Sequence, residues 1–143
     1  MTMTDDDFLD LVEELQRKIE YEEEKNYSKI VIHEYRNPTY FGVLDNPDLF
    51  AKVKGPCNDT MKITMKINNN RITEARFWTD GCGASIACGN MLLKMIKGKT
   101  LLEAERITSE DLIRSLDGLP VEHRHCADLA VDTLNKCLKE YEK

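Results

Sequence analysis

The chain has 143 residues, of which 41% are hydrophobic and 32% charged, a composition typical of one soluble globular domain. No run of apolar side chains exceeds three residues, so we expect neither a membrane-spanning helix nor a signal-peptide core. The formal net charge is −6, and residues 1–29 alone carry ten acidic and four basic side chains, which leaves the rest of the chain neutral. A neutral body lacks the basic surface that phosphate binding requires, so we expect no nucleic acid and no membrane among the partners.

An acidic amphipathic helix is predicted at the start of the chain, over residues 5–25. Its apolar side chains recur at the spacing of one helical face: Phe8, Leu11, Val12, Leu15 and Ile19. We expect this face to dock on the rest of the protein, with binding to another protein as the alternative. The predicted organisation is therefore an acidic helical segment, 1–26, followed by a main domain, 27–143.

Alternation of apolar and polar side chains predicts an antiparallel sheet in the middle of the chain. It extends over residues 61–67, breaks at a turn of three asparagines, and resumes over 74–77. Ile72 has the wrong parity for the buried face and is expected beside the turn. Residues 48–54 can add a third strand, and two Asn-Pro pairs predict a loop between the first helix and the sheet.

Helical periodicity replaces the alternation after Gly83. One apolar stripe over 84–95 ends near Gly98, a short helix is predicted over 108–116, and the last helix has a stripe over 129–141. Strands followed by helices predict an α+β fold, a small antiparallel three-stranded sheet with helices packed on one face.

The five cysteines are an odd number, so they cannot all form disulfides within the chain. A metal-binding or reactive-thiol role in a reducing, cytoplasmic setting is therefore favoured over a disulfide framework. Cys88 and Cys137 lie within apolar helical stripes and are predicted to be core residues. Cys57, Cys82 and Cys126 lie outside those stripes, at the ends of predicted elements, where loops can converge.

These three cysteines have neighbours that can also bind a metal. Asp59 lies two residues beyond Cys57, and His125 adjoins Cys126. Three thiolates, an imidazole and a carboxylate exceed the four ligands of a closed tetrahedral site, which favours a site that exchanges ligands. Because no C-x-x-C pair is present, three unrelated loop cysteines remain the alternative on spacing alone.

Four motifs resemble the U-type iron–sulfur cluster scaffold family, which includes IscU and the N-terminal domain of NifU. They are Gly-Pro-Cys-Asn-Asp at 55–59, Asp-Gly-Cys-Gly-Ala-Ser-Ile-Ala at 80–87, Gly-Lys-Thr-Leu at 98–101 and His-Cys at 125–126. The similarity begins at Tyr27 and covers about 115 residues. It implies that the main domain, 27–143, has the IscU/NifU-like scaffold fold.

Carried over by position, the resemblance implies that Cys57, Asp59, Cys82, His125 and Cys126 bind the cluster. It implies a non-catalytic scaffold that receives sulfur from a cysteine desulfurase, assembles a transient [2Fe–2S] cluster and passes it to apo iron–sulfur proteins. Zinc can bind at the same residues, so a zinc-dependent sulfur acceptor similar to SufU and a structural zinc module are the alternatives. The 44-residue interval from Cys82 to Cys126 and the presence of His125 are more similar to IscU than to SufU.

Two departures from the family pattern change what is expected. Asn58 stands where family members usually carry glycine, which predicts a stiffer loop. An Hsp70-type chaperone docks on the family's Leu-Pro-Pro-Val-Lys segment, whereas residues 119–123 read Leu-Pro-Val-Glu-His. The changes at Glu122 and His123 argue against dependence on that chaperone. We interpret His123 as solvated and His33 as a surface or capping residue, rather than as ligands.

Overall fold

The computed structural model describes residues 2–141, and the predicted α+β fold is confirmed. Residues 1, 142 and 143, which the two predicted segments include, lie outside this range. No helix within 2–141 is both long enough and apolar enough to cross a membrane. In chain order the elements are α1 (Asp5–Asn26), α2 (Lys29–Arg36), β1 (Leu49–Lys54), β2 (Thr60–Asn68), β3 (Arg71–Thr79), α3 (Gly83–Ile96), α4 (Leu101–Glu105), α5 (Ser109–Ser115), a 3₁₀ turn (Val121–His123) and α6 (Arg124–Tyr141).

The three strands form one antiparallel sheet in the order β1–β2–β3, as the alternation predicts. Asn69 and Asn70 make the predicted turn with positive φ angles of 52° and 65°, a region that asparagine tolerates. Next to the turn, the β2–β3 register shifts, because Ile67 pairs with Ile72 while Lys66 pairs with Glu74. This β-bulge brings Ile72 back to the core face, where its side chain is fully buried despite its parity.

Helices α3 and α6 cover the apolar face of the sheet. Helix α3 approaches the sheet closely at Gly89, where a Cβ atom would lie 2.5 Å from the ring of Phe77 on β3. The predicted core positions of Cys88 and Cys137 are confirmed, because both side chains are fully buried between the helices and the sheet. The same two helices begin next to two of the other cysteines, since Cys82 is the N-cap of α3 and Cys126 lies in the first turn of α6.

Helix α2 occupies part of the stretch for which the asparagine–proline pairs predict a loop. Ser28 caps its N-terminus by accepting a hydrogen bond from the backbone of Val31. Its Glu34 side chain is only 3% exposed and accepts hydrogen bonds from Lys94 and Asn90 of α3, both at 2.6 Å. Because α2 is short, its stability depends on these contacts with α3, which are invisible in the local pattern.

The acidic amphipathic helix is confirmed as α1, but the expectation that its apolar face docks on the body is wrong. None of its side chains is buried, and Phe8 and Ile19 are 56% and 58% exposed. Near the C-terminus of α1, Glu23 forms an ion pair with Arg36 of α2. The face stays open because the core side of the sheet is already covered by α3 and α6.

Candidate metal centre

Cys57 lies at the tip of the β1–β2 hairpin. The Gly55 carbonyl accepts a hydrogen bond from the amide of Asn58 at 3.1 Å, and the Gly55 amide donates to the Asp59 carbonyl at 2.7 Å. This is a three-residue hairpin loop whose last residue takes a left-handed conformation, and Asn58 has a φ of 68°. Asparagine and glycine both favour that region, so Asn58 supports the same loop path as a glycine. The loop leaves the Cys57 thiol exposed.

Cys82 lies between β3 and α3, and it is the N-cap residue of α3. The preceding loop is tied to the hairpin, because the Asp80 carboxylate accepts a hydrogen bond from the amide of Thr60 at 2.7 Å. A Cβ atom at Gly81 would lie 2.5 Å from Ser85 Oγ and 3.0 Å from an oxygen of Asp59. Only glycine fits at position 81, and its small size brings the two cysteine-bearing loops together.

Cys126 lies in the first turn of α6, at an element end as expected, but its placement outside the apolar stripes is wrong, because it is 1% exposed and packs in the core cluster. Its sulfur lies 3.7 Å from Nε2 of His125 and 3.4 Å from Oγ of Ser85. The same Ser85 hydroxyl lies 3.3 Å from a carboxylate oxygen of Asp59. Ser85 therefore connects the carboxylate of the hairpin loop to the thiol at the start of α6.

A cleft of about 560 Å³ brings most of the predicted site residues together. Cys57, Asp59, Cys82 and His125 all line it, whereas Cys126 is buried and is joined to it through its contact with His125. Asn58, Asp80, Gly81, Glu122 and His123 complete the lining. Three chain segments that are distant in sequence therefore meet at one opening to solvent.

The tightest group of candidate ligands in residues 2–141 includes a histidine that sequence reasoning set aside. The sulfur atoms of Cys82 and Cys126 and an imidazole nitrogen of His123 all lie within 4.8 Å of one another. The interpretation of His123 as solvated is wrong, because the residue is half-buried and its Nδ1 atom is buried without a hydrogen-bond partner. Its ring packs 5.6 Å from the ring of Tyr27. His33, as expected, is exposed and away from the cleft.

The pKa values of the two thiols in this group, Cys82 and Cys126, are shifted in opposite directions. A hydrogen bond with Cys126 lowers the pKa of Cys82, and backbone amides at the start of α3 lower it further. The same bond, together with burial, raises the pKa of Cys126, so Cys82 is the more acidic of the two thiols. Burial also raises the pKa of Cys137 to about 12 and raises that of Cys88, which leaves both as unreactive thiols.

Several residues that shape the cleft have only weak sequence signals. Ser85 is a polar residue inside the apolar stripe of α3, and that break in the pattern is the signal that could have marked it. Asp80 belongs to the recognised Asp-Gly-Cys-Gly motif, although its role in tying two loops together requires the fold. Tyr27 precedes the predicted strands by many residues, so its contact with His123 leaves no local pattern at all.

Fold and site together define a small α+β domain whose cysteine, histidine and aspartate side chains line a solvent-open cleft. A family model described as the NifU-like N terminal domain matches residues 26–143. IscU 1 of Archaeoglobus fulgidus, an iron-sulfur cluster assembly scaffold protein, is 39% identical over 116 residues, 80% of this chain and 76% of that protein. IscU of Escherichia coli K12, of the same description, is 39% identical over 120 residues, 80% of this chain and 93% of that protein. The chain belongs to the NifU-like N-terminal domain family.

Solved structures show the same fold at lower sequence identity. FiSufU, a protein of the SUF system from Fervidobacterium islandicum, superposes with a TM-score of 0.67 and 22% identity over 78% of this chain and 96% of that one. The N-terminal part of a NifU-like protein from Brucella abortus gives a TM-score of 0.65 and 20% identity, with 80% and 93% of the two chains covered.

Proposed function

We propose that this protein is a scaffold on which a [2Fe–2S] cluster is assembled and from which it passes to apo iron–sulfur proteins. The observation that carries the proposal is the cleft in which thiolate, imidazole and carboxylate side chains from three loops converge. Relatives at 37–39% identity are named iron-sulfur cluster assembly scaffold proteins, which supports the same assignment. Iron–sulfur clusters are held mainly by cysteine thiolates, and histidine replaces cysteine in some of them.

The proposed cluster ligands are Cys57, Cys82, Cys126 and His125, with Asp59 as a replaceable neighbour. Cys57 lies on an exposed hairpin tip, so its thiol can move toward or away from a cluster with little cost in core packing. Cys126 is anchored in the core and provides a fixed point. A site with one fixed and one mobile thiol suits a cargo that has to enter and leave.

Asp59 is proposed to keep the cluster transferable. One of its carboxylate oxygens contacts Ser85, whereas the other is buried without a hydrogen-bond partner. A carboxylate is a harder and weaker ligand for cluster iron than a thiolate, so a bond to Asp59 is easily exchanged. We expect Asp59→Ala to form a longer-lived cluster that transfers more slowly to an apo-ferredoxin, measured by transfer kinetics. Glu122→Ala, which removes a carboxylate from the rim of the same cleft, is the control, and equal or faster release from Asp59→Ala would contradict this role.

The proposed partners are the proteins that supply sulfur to the scaffold and accept the cluster from it. A cysteine desulfurase supplies sulfur at the open cleft, and apo iron–sulfur proteins accept the cluster, so the chain acts as a scaffold and not as an enzyme. Segment 119–123 lies beside the cleft with Val121 82% exposed, but its Glu122 and His123 differ from the chaperone-docking pattern. We therefore propose little dependence on an Hsp70-type chaperone. Five free cysteines suit a reducing compartment, which we propose to be the cytoplasm.

Anaerobic reconstitution tests the scaffold proposal. The purified chain is incubated with ferrous iron, a cysteine desulfurase, cysteine and a thiol reductant, which supplies the electrons that reduce persulfide sulfur to sulfide, and is then mixed with apo-ferredoxin. We expect sulfur-to-iron charge-transfer absorption to appear on the chain and to move to the ferredoxin. Persulfide on the chain with bound zinc, and no charge-transfer absorption, would replace the proposal with a zinc-dependent sulfur acceptor. Zinc without either product would leave a structural zinc module. The zinc alternatives are favoured by one observation, the compact group of two thiols and one imidazole.

A further inference from the structure

Helix α1 carries an exposed apolar stripe and a strong negative charge. Phe8, Leu15 and Ile19 of the stripe are between 50% and 58% exposed. The 22 residues of α1 include ten acidic and three basic side chains. Two of the acids next to the stripe, Glu20 and Glu22, form no ion pair within residues 2–141. An exposed apolar surface bordered by charged side chains is typical of a site that binds another protein.

A surface of complementary charge lies on the outer face of the sheet, opposite α3 and α6. One row across the strands places Lys52 of β1 beside Lys62 of β2, and Lys62 beside Trp78 of β3. The Lys62 ammonium lies 4.8 Å from the centre of the Trp78 ring, and neither lysine forms an ion pair in the described part of the chain. We call this row, with the exposed Phe50 and Lys54 of β1, the lysine face. Like charges directly opposite each other in a sheet are unfavourable, so this face favours an acidic occupant.

Helix α1 is held away from the lysine face of its own chain. Only Tyr27 and Ser28 separate α1 from α2. The Tyr27 ring packs 5.6 Å from the ring of His123, and the Ser28 hydroxyl donates a hydrogen bond to the carbonyl of Leu116, so this connection has no slack. Helix α2 packs against α3, which covers the other face of the sheet. Two α1 helices are also poor partners for each other, because both are strongly acidic and like charges across an interface oppose binding.

We propose that the apolar stripe of α1 docks on the lysine face of a second copy of this chain. The stripe packs on the Trp78 ring, and the acids beside it, Glu20 and Glu22, meet Lys52 and Lys62. The stripe is about 16 Å long at about 1.5 Å per residue, and three strands about 4.8 Å apart make a face about 10 Å wide. Interfaces this small are weak, so we expect a Kd of about 10–500 μM. The inference is independent of the proposed function, because neither surface includes a proposed cluster ligand.

Fluorescence of Trp78 tests the docking directly, because Trp78 is the only tryptophan in the sequence and lies in the lysine face. The reporter chain carries Leu15→Glu, which places a charge in the stripe of its own α1. The donor chain carries Trp78→Phe, which removes the fluorophore and leaves α1 intact. Both chains are full-length, reduced and metal-free, so neither a disulfide nor a shared metal joins them. We expect the emission of the reporter to shift to the blue as donor is added, and the shift to weaken at high salt.

Two control mixtures show which surfaces are in contact. A donor that carries both Trp78→Phe and Leu15→Glu should cause no shift, because its stripe is interrupted. A reporter that also carries Lys52→Glu and Lys62→Glu should not respond to the intact donor. Circular dichroism shows whether each variant is folded. Unchanged emission when a folded reporter meets the intact donor would overturn the inference.

Sedimentation equilibrium of single chains separates this contact from other modes of association. Lys52→Glu with Lys62→Glu should raise the Kd of self-association at least about tenfold, because like charges then face each other. Lys99→Glu with Lys139→Glu changes the net charge equally at exposed lysines outside the strands, and it should leave the Kd within about twofold. Association that survives Lys52→Glu with Lys62→Glu would indicate pairing of α1 with α1 and would overturn the inference. A chain that remains monomeric well above the expected Kd would overturn it as well.

Discussion

Replacing Glu34 with alanine should destabilise the protein by about 3–5 kcal/mol, although the residue is far from any predicted ligand in sequence. Its carboxylate lies between α2 and α3 and accepts hydrogen bonds from Lys94 and Asn90, both at 2.6 Å. Asn90 is fully buried, and its side-chain oxygen accepts a hydrogen bond from the amide of Tyr40 at 2.9 Å. One carboxylate thus supports a network that joins α2, α3 and the loop before β1.

The magnitude follows from the separate losses. Loss of a hydrogen bond to a charged group costs about 1.5–3 kcal/mol, and the Asn90 amide left unpaired in the core costs about 1–3 kcal/mol more. Lys94 adds little, because its side chain is 36% exposed and its ammonium group can turn to water. For a domain of this size, about 3–5 kcal/mol corresponds to a fall in Tm of about 10–20 °C.

Urea unfolding followed by circular dichroism measures the change. Glu74→Ala is the matched control, because Glu74 also pairs with a lysine, Lys66 at 4.0 Å, but its side chain is 57% exposed. That substitution should alter the free energy of unfolding by no more than about 0.5 kcal/mol. A decrease in the free energy of unfolding below about 1 kcal/mol for Glu34→Ala would refute the reasoning, because the loss of a buried hydrogen-bond network destabilises a protein by more than that.

Three further outcomes are expected. Cys57→Ser should abolish stable cluster formation in anaerobic reconstitution, whereas Cys88→Ser should leave it largely intact; failure of a folded Cys88→Ser variant would show that the assignment of the core cysteines is wrong. Gly89→Ala should lower the free energy of unfolding by about 1–3 kcal/mol despite alanine's helix preference, because the new Cβ meets the ring of Phe77, and a gain in stability would contradict the packing described above. Deletion of residues 1–25 should change the free energy of unfolding by no more than about 1 kcal/mol and leave zinc and iron binding intact, since α1 buries no side chain; a large loss of stability would show that its apolar face docks in solution, and a loss of metal binding would show that α1 is part of the site.

The parts of the fold that were predicted from sequence are those in which one face of an element is buried along its whole length. Strand β2 alternates Met61, Ile63 and Met65 inward, and the structure buries all three completely. The same reasoning separates Cys88 and Cys137 from the other cysteines. Both lie among apolar side chains that recur at helical spacing, and such a pattern predicts a buried helix face.

What escaped prediction depends on contacts between distant segments. The face of Ile72 is set by a bulge, which leaves no local sequence signal at that position. Helix α2 depends on Glu34 meeting residues of α3 about 60 positions later in the chain. His123 joins the candidate ligands because the turn before α6 brings it to Cys82, a proximity that neither the spacing of the histidines nor the family pattern indicates.

The cleft is assembled from three segments that are remote in sequence, so a ligand bound in it stabilises the folded state of the protein. Cys57, Cys82 and Cys126 are separated by 25 and 44 residues, so an unfolded chain cannot hold one ion with all the same groups. A ligand present at 100 times its Kd for the folded state adds about 2.7 kcal/mol to the stability of that state. If the proposed function holds, a loaded molecule opens less often than an emptied one and is expected to be degraded more slowly by proteases.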